Sequence, residues 1–180
     1  ITYSPGDDTL IIEDDGHGMD KKGLEAFFRN GNSDKKNKEK TARGRVFLGD
    51  KGTATLAIRT LCDIVSIETR DGSNVREFKE RFKDTDSDFR KVQVNTRVAK
   101  TPEESTRGTV IKMSGLRFLR EGKVLDTAVL EQRLGREMPY THDFGMYVNG
   151  STVQRHSIEN AVEYVIDTTL PKVGKVKGSI

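Results

Sequence analysis

The chain has 180 residues, enough for one domain of ordinary size, and its equal hydrophobic and charged fractions, 33% each, describe a chain with a modest core. Thirty-one Lys and Arg against 28 Asp and Glu leave a net charge of +3, too even to imply nucleic acid by itself. Cys62 is the only cysteine, which rules out an internal disulfide and favours a reducing compartment, and no stretch approaches the roughly 18 apolar residues of a membrane span, so the sequence predicts a cytoplasmic protein without a membrane partner.

Residues 8–13, "DTLIIE", predict a short strand, and Asp20 is placed to cap a helix carrying Leu24, Phe27 and Phe28 on one face. Met19 before that cap and Leu24 after it have the spacing of a hydrophobic staple. From Asn30 to Arg45 the character changes: Ala42 is the only hydrophobic residue, and six Lys or Arg face two acids. Such a stretch cannot bury itself, so a mobile loop is expected. "GDKGTATLAIRTLCD" then predicts a buried helix after a glycine turn, with Cys62 as inert core.

"DIVSIET", "RDGSN" and "VREFKERF" predict a hairpin turning at Asp71-Gly72, although Val75, Phe78 and Phe82 also fit helical spacing. "KVQVNTRV" alternates as a strand, "GTVIKMSGL" suits a buried strand, 123–136 a helix, and "FGMYVNGSTVQ" a hairpin around Asn149-Gly150. Together these elements predict an α+β, two-layer sandwich: one largely antiparallel sheet with helices on one face.

Two glycine-rich turns hold the candidate chemistry. In "LIIEDDGHGMDKKG", residues 10–23, Asp14 stands at a strand end, where its carboxylate can accept from an exocyclic amine. Gly16 and Gly18 beside it permit close approach to the main chain. An ordinary strand-to-helix turn is one alternative for this stretch. A metal site on His17 with Asp14, Asp15 and Asp20 is another, but His142 and His156 lack any evident ligand spacing to it. "LGDKGTA", residues 48–54, sets Gly49 and Gly52 around Lys51 at a helix start, where free backbone N–H groups favour phosphate. It is not a Walker loop, which requires Gly-Lys.

"DDGHGM", "NGNSDK", "GDKGTATLAI" and "GTVIKM", in that order over about residues 7–155, resemble the nucleotide-binding elements of the GHKL superfamily with its Bergerat ATP-binding fold. The nearest in character are chaperone-like, MutL-like and Microrchidia ATPases, whose lids contain similar G-x-S-x-K and G-x-K-G elements. The resemblance implies that Asp14 receives the adenine amine, with Gly16, Gly18 and Met19 shaping the base pocket and Thr109 completing the adenine contacts. Ser33 and Lys35 would begin an ATP lid, while Gly49, Lys51, Gly52, Thr53 and Ala54 would form its far hinge and phosphate cradle.

The resemblance also implies Mg2+-dependent ATP hydrolysis, ATP or ADP as ligands, and an ATP-dependent homodimer closed by the lid. In the family, the glutamate that activates water and the asparagine that binds magnesium lie on a helix before the first glycine turn. Neither is assigned here, and the catalytic base is left open. The expected organisation is an ATP-binding domain over 1–155 lacking that first helix, with 156–180 beginning a further segment of a longer ATPase and the 180 residues alone inactive. A histidine protein kinase domain shares the fold and is one rival. A nucleic-acid-binding module using the basic 30–45 loop, net charge +4, is the other.

Overall fold

The computed structural model describes residues 1–27, 54–82, 93–138, 144–155, 165–170 and 174–179. Strands β1 (Thr2–Ser4) and β2 (Thr9–Asp14) open the chain as a hairpin. β2 starts at Thr9 and not at Asp8, because Asp8 leaves the extended region with a φ of 53°. From there its carboxylate accepts the Leu116 N–H at 2.7 Å, tying the turn to a later strand.

Helix α1 (Lys21–Phe27) begins where the sequence predicts it. Asp20 Oδ1 accepts the Gly23 N–H at 2.6 Å, a donor that the helix start leaves open, and its carbonyl accepts the Leu24 N–H at 2.9 Å as the first bond of the helix. Met19 and Leu24, the staple pair, join the same core cluster, with Leu24 fully buried. Phe28 and the 30–45 loop lie outside the described residues.

Helix α2 (Ala54–Leu61) runs directly into β3 (Cys62–Asp71), which pairs with β4 (Asn74–Arg81). The turn is displaced by one residue from Asp71-Gly72. Gly72, with a φ of 95°, takes the first central position and Ser73 the second, the arrangement of a type II′ hairpin. Asp71 instead closes the turn, its Oδ1 accepting from the N–H groups of Ser73 at 3.0 Å and Asn74 at 2.8 Å. The helical spacing of Val75, Phe78 and Phe82 does not produce a helix. In β4, Val75 and Phe78 fall on opposite faces, and both are buried.

β5 (Asn95–Val98) takes only the second half of the expected 91–98 strand; residues 93 and 94 are not in it, and 91 and 92 lie outside the described residues. β6 (Arg107–Leu116) is followed by α3 (Arg117–Arg120) and α4 (Thr127–Glu137). The helix predicted over 123–136 starts four residues late because Asp126 caps it, Oδ1 accepting from Ala128 N–H at 2.9 Å and Val129 N–H at 3.1 Å. Asn149 and Gly150, with φ of 47° and 83°, turn β7 (Tyr147–Val148) into β8 (Ser151–Thr152), as an Asn-Gly hairpin requires. β9 (Val165–Leu170) and β10 (Gly174–Ser179) form a separate antiparallel pair.

The main sheet is six-stranded in the order β1-β2-β6-β3-β4-β5, every neighbour antiparallel. This is the α+β sandwich that the sequence predicts. Leu24 of α1, Ile58 of α2 and the half-buried Phe118 and Leu119 of α3 share one cluster with Val65, Ile67, Phe78 and Met113 of the sheet. By register, Leu10, Ile12 and Asp14 of β2 stand opposite Met113, Ile111 and Thr109 of β6. Those in turn stand opposite Val65, Ile67 and Thr69 of β3. Directly paired residues share a face, so the apolar core at one end of this face gives way to Asp14, Thr109 and Thr69 at the other.

A second cluster of Met138, Val148 and Val153 draws in Ile1, Leu130 and Leu134. The Ile1 amino group donates to the Tyr147 carbonyl at 2.8 Å, and Tyr3 N–H donates to Asn149 Oδ1 at 2.7 Å, which fixes the late hairpin at the β1 edge.

Candidate functional site

The end of β2 delivers Asp14 to the edge of the helix-bearing face, and the glycine turn shapes its carboxylate. Gly16 N–H donates to Asp14 Oδ1 at 2.8 Å, while Oδ2 has no hydrogen-bond partner among the described residues. The residue is open to solvent, yet the protein packed behind the carboxyl raises its pKa above the ordinary 3.8. Desolvation is the largest cause and outweighs the lowering by Gly16 N–H; Asp15 pushes the same way as desolvation, and His17 opposes it. An acceptor held at some electrostatic disadvantage is suited to a ligand that brings a donor.

Gly16 and Gly18 do different work. A Cβ on Gly16 would lie 2.6 Å from Asp14 Oδ1, so a side chain there would disturb the acceptor itself. At Gly18, φ is 73° and a Cβ would fall 2.0 Å from the Arg70 carbonyl oxygen. The close approach expected near this turn is therefore, at Gly18, the approach of the protein's own β3. Gly108 repeats the pattern, with a φ of 144° and a Cβ position 2.3 Å from the Asp14 carbonyl oxygen. It lets β6 press against the end of β2.

Thr109 and Thr69 complete the row. Thr109 is 6% exposed and Thr69 fully buried, with their hydroxyl oxygens 3.2 Å apart. Thr69 Oγ1 also accepts the Met19 N–H at 2.8 Å. On β4, opposite Thr69, Arg76 is 8% exposed and donates from Nη1 to the Met19 carbonyl at 3.1 Å and to Asp71 Oδ2 at 2.7 Å. Arg76, followed by the Asn74 and Ser73 N–H groups, holds the Asp71 carboxyl far below the usual carboxylate range. Met19 is thus gripped at its N–H by Thr69 and at its carbonyl by Arg76, so the glycine turn is anchored to the adjacent strands β3 and β4.

Beside these polar groups lies an apolar wall. Ile12, 39% exposed, stands opposite the half-buried Ile111, one paired position in from Asp14 and Thr109. An acceptor-only carboxylate, a hydroxyl and an aliphatic wall suit a flat, amine-bearing heterocycle.

The structure thus brings together Asp14, Gly16, Gly18, Met19 and Thr109. Ala54 is the first residue of α2, whereas Ser33, Lys35, Gly49, Lys51, Gly52 and Thr53 lie outside the described residues. His17 is exposed, and among the described residues no group of three or more His, Cys, Asp or Glu is placed to hold a metal ion, the His17, Asp14, Asp15 and Asp20 set included. No motif marks Thr69, Arg76 or Asp71: Thr69 and Arg76 join the site through strand register, and Asp71 through its pairing with Arg76. A depression of about 320 Å³ lies on the opposite face, lined among others by Glu68, Glu77, Lys79 and Lys112. Its alternating charges are those of a solvated sheet face.

Residues 1–110 match the family of histidine kinase-, DNA gyrase B- and HSP90-like ATPases, and the chain belongs to that family. Its fold is the Bergerat-type α+β sandwich. Among solved structures it is similar to the ATPase region of Saccharomyces cerevisiae topoisomerase II, with a TM-score of 0.59 and 15% identity over 88% of this chain. The same region bound to dexrazoxane gives 0.61 and 16% over 88%. The ATPase and transducer domains of topoisomerase II from Balamuthia mandrillaris give 0.62 and 14% over 86%. The chain spans 43% of each of the two yeast chains and 41% of the third. No curated protein sequence matches it. No described helix is long and apolar enough to cross a membrane.

Proposed function

We propose that this chain is the ATP-binding domain of a GHKL-type, chaperone-like ATPase, with the adenine seated on the Ile12 and Ile111 wall and its amine donating to Asp14. The observation that carries this reading is the direct pairing of Asp14 with Thr109 at the open end of the helix-bearing face. Gly16, Gly18 and Met19 form the rim of the base pocket. Ser33, Lys35, Gly49, Lys51, Gly52, Thr53 and Ala54 supply the lid hinges and the phosphate cradle, a reading that rests on sequence. Lys35 and Lys51 neutralise phosphate charge, and the backbone N–H groups at the start of α2 donate to it.

Hydrolysis is attack of water on the γ-phosphate, which releases ADP and inorganic phosphate; a bound Mg2+ would offset the charge that develops there. No Mg2+ ligand or catalytic base is assigned among these residues. The domain extends over 1–155, with 156–180 belonging to a further segment of a longer ATPase, and the protein acts in a reducing, cytoplasmic setting as an ATP-dependent homodimer. In that cycle ATP is a conformational switch as well as a fuel.

The lid is the testable part. Sixteen consecutive residues with one hydrophobic member offer almost no burial against their ordering entropy, and bound phosphate supplies the missing attraction at both hinges. Hydrogen exchange across 30–48 should slow when a non-hydrolysable ATP analogue saturates the protein with Mg2+. Unchanged exchange at saturation would remove the lid from this account and favour the basic stretch as a contact surface for nucleic acid or an acidic partner.

A further inference from the structure

Thr69 belongs to no motif in the sequence, yet its hydroxyl sits between the glycine turn and Thr109. Thr69 is 0% exposed, so bulk water does not reach it and its hydroxyl depends on fixed partners. One is fixed: Met19 N–H donates to Oγ1 at 2.8 Å. Among the described residues the single Thr69 proton then has two acceptors within reach, Thr109 Oγ1 at 3.2 Å and the Gly108 carbonyl at 3.4 Å.

The two choices give Thr109 opposite polarities. If Thr69 donates to the Gly108 carbonyl, Thr109 donates inward to Thr69 and shows only lone pairs to a ligand. If Thr69 donates to Thr109, the Thr109 proton is released to point outward. Thr109 is the nearer of the two acceptors, and the Met19 N–H that feeds Thr69 strengthens whichever donation Thr69 makes, because hydrogen bonds in a chain polarise one another. In this second arrangement donation runs from Met19 N–H through Thr69 to Thr109 and ends on an outward O–H beside the acceptor-only carboxylate of Asp14.

We propose that Thr69 is a specificity-determining positioning residue, whose hydroxyl turns Thr109 into a donor and so matches the site to a 6-aminopurine. The inference rests on the nucleotide reading above and adds to it the means by which the base is selected. Adenine offers a donor at its 6-amine and an acceptor at N1, which fits an acceptor at Asp14 and a donor at Thr109. Hypoxanthine reverses both, carrying a carbonyl at position 6 and a proton on N1. With Thr69 in place, that reversal meets a carboxylate facing a carbonyl and two donors facing each other.

The test is calorimetric titration of the purified protein with ADP and with inosine diphosphate, for the unmodified chain and for Thr69→Val, Thr69→Ala and Thr69→Ser. The unmodified protein should prefer ADP. Without the Thr69 hydroxyl, the Thr109 rotor is free to accept as well as donate, so ADP binding should weaken about tenfold while inosine diphosphate changes by less than about threefold. The preference narrows accordingly. Thr69→Ser retains the hydroxyl and should restore the preference, which a purely structural role for the Thr methyl would not allow.

Thr69→Val also leaves the Met19 N–H without its acceptor, so the thermal midpoint of each free variant is measured alongside. Thr69→Ala repeats the measurement if the valine variant does not fold. Equal weakening toward both nucleotides, an unchanged preference, or a serine variant that behaves like valine would each overturn the assignment. If the unmodified protein binds neither nucleotide, the nucleotide reading fails and takes this inference with it. If it prefers ADP in an Asp14-dependent manner and the Thr69 variants keep that preference, only this inference falls.

Discussion

Asp14→Asn should weaken ADP and ATP binding by about 1.5–3 kcal/mol, roughly 10- to 150-fold in Kd, while leaving the fold intact. The substitution conserves shape and removes the property the site uses. Asp14 Oδ1 already accepts the Gly16 N–H, and an Asn carbonyl oxygen takes over that bond. What then remains to face the ligand amine is the Asn NH2 group, a donor against a donor. Asp15→Asn, one residue along, is the control and should bind as the unmodified protein does.

Stability moves the other way. The folded Asp14 carboxyl has a pKa raised above its ordinary value, so its charged form is less favourable in the folded chain than in the unfolded one. That disadvantage is absent below the unfolded value, where both states are protonated, and fully present above the folded value. Asp14→Asn removes it, so at neutral pH the thermal midpoint of the free protein should stay level or rise slightly. The same shift sets the pH dependence of binding. Affinity in the unmodified protein should fall as pH drops through the raised folded value, earlier than for an unperturbed aspartate. Calorimetry across a pH series checks both directions, and equal affinity of the Asp14→Asn and unmodified proteins would discard the adenine assignment.

Gly18→Ala should destabilise the fold by about 2–4 kcal/mol, combining the cost of a left-handed backbone for a residue with a Cβ and the cost of forcing apart packed main chain. The added carbon would arrive 2.0 Å from the Arg70 carbonyl oxygen, a backbone atom of β3 that has no flexible side chain to move aside. Relief must come from moving the turn, which breaks the grip of Thr69 and Arg76 on Met19. Nucleotide binding should therefore fall together with stability. Gly6→Ala is the contrast, since a Cβ there meets nothing within 4 Å. Thermal unfolding of the two variants should differ by roughly 10 °C, and a Gly18→Ala midpoint equal to that of Gly6→Ala would show that the turn is not packed against β3 as described.

Much of this site was legible in the sequence because its chemistry is local. A carboxylate at the end of an apolar strand, two glycines and a capping Asp20 lie within seven residues of one another, and each acts over a short span. The "GT" of Gly108-Thr109 was legible as the start of a strand. That Thr109 faces Asp14 was reached only through resemblance, since it depends on β6 inserting between β2 and β3, a crossover no spacing reveals.

Thr69 and Arg76 were hidden for a related reason. In "VSIET" a buried Thr looks like any other β-branched strand residue, and in "VREFKERF" the apolar residues fitted a helix and a strand alike. Pairing settles both: Thr69 stands between Thr109 and Arg76, and Val75 and Phe78 are buried on opposite faces of β4. The turn at 71–74 slipped by one residue because the Asp71 carboxylate is worth more capping Ser73 and Asn74 and pairing with Arg76 than standing in the turn.

The most direct test of the central claim is a crystal structure of the protein with a non-hydrolysable ATP analogue and Mg2+. The account predicts the adenine on Ile12 and Ile111, its 6-amine donating to Asp14, N1 accepting from Thr109 directly or through one water, and the phosphates directed to the start of α2. A nucleotide bound elsewhere, or one seated here with its base turned away from Asp14 and Thr109, would contradict it.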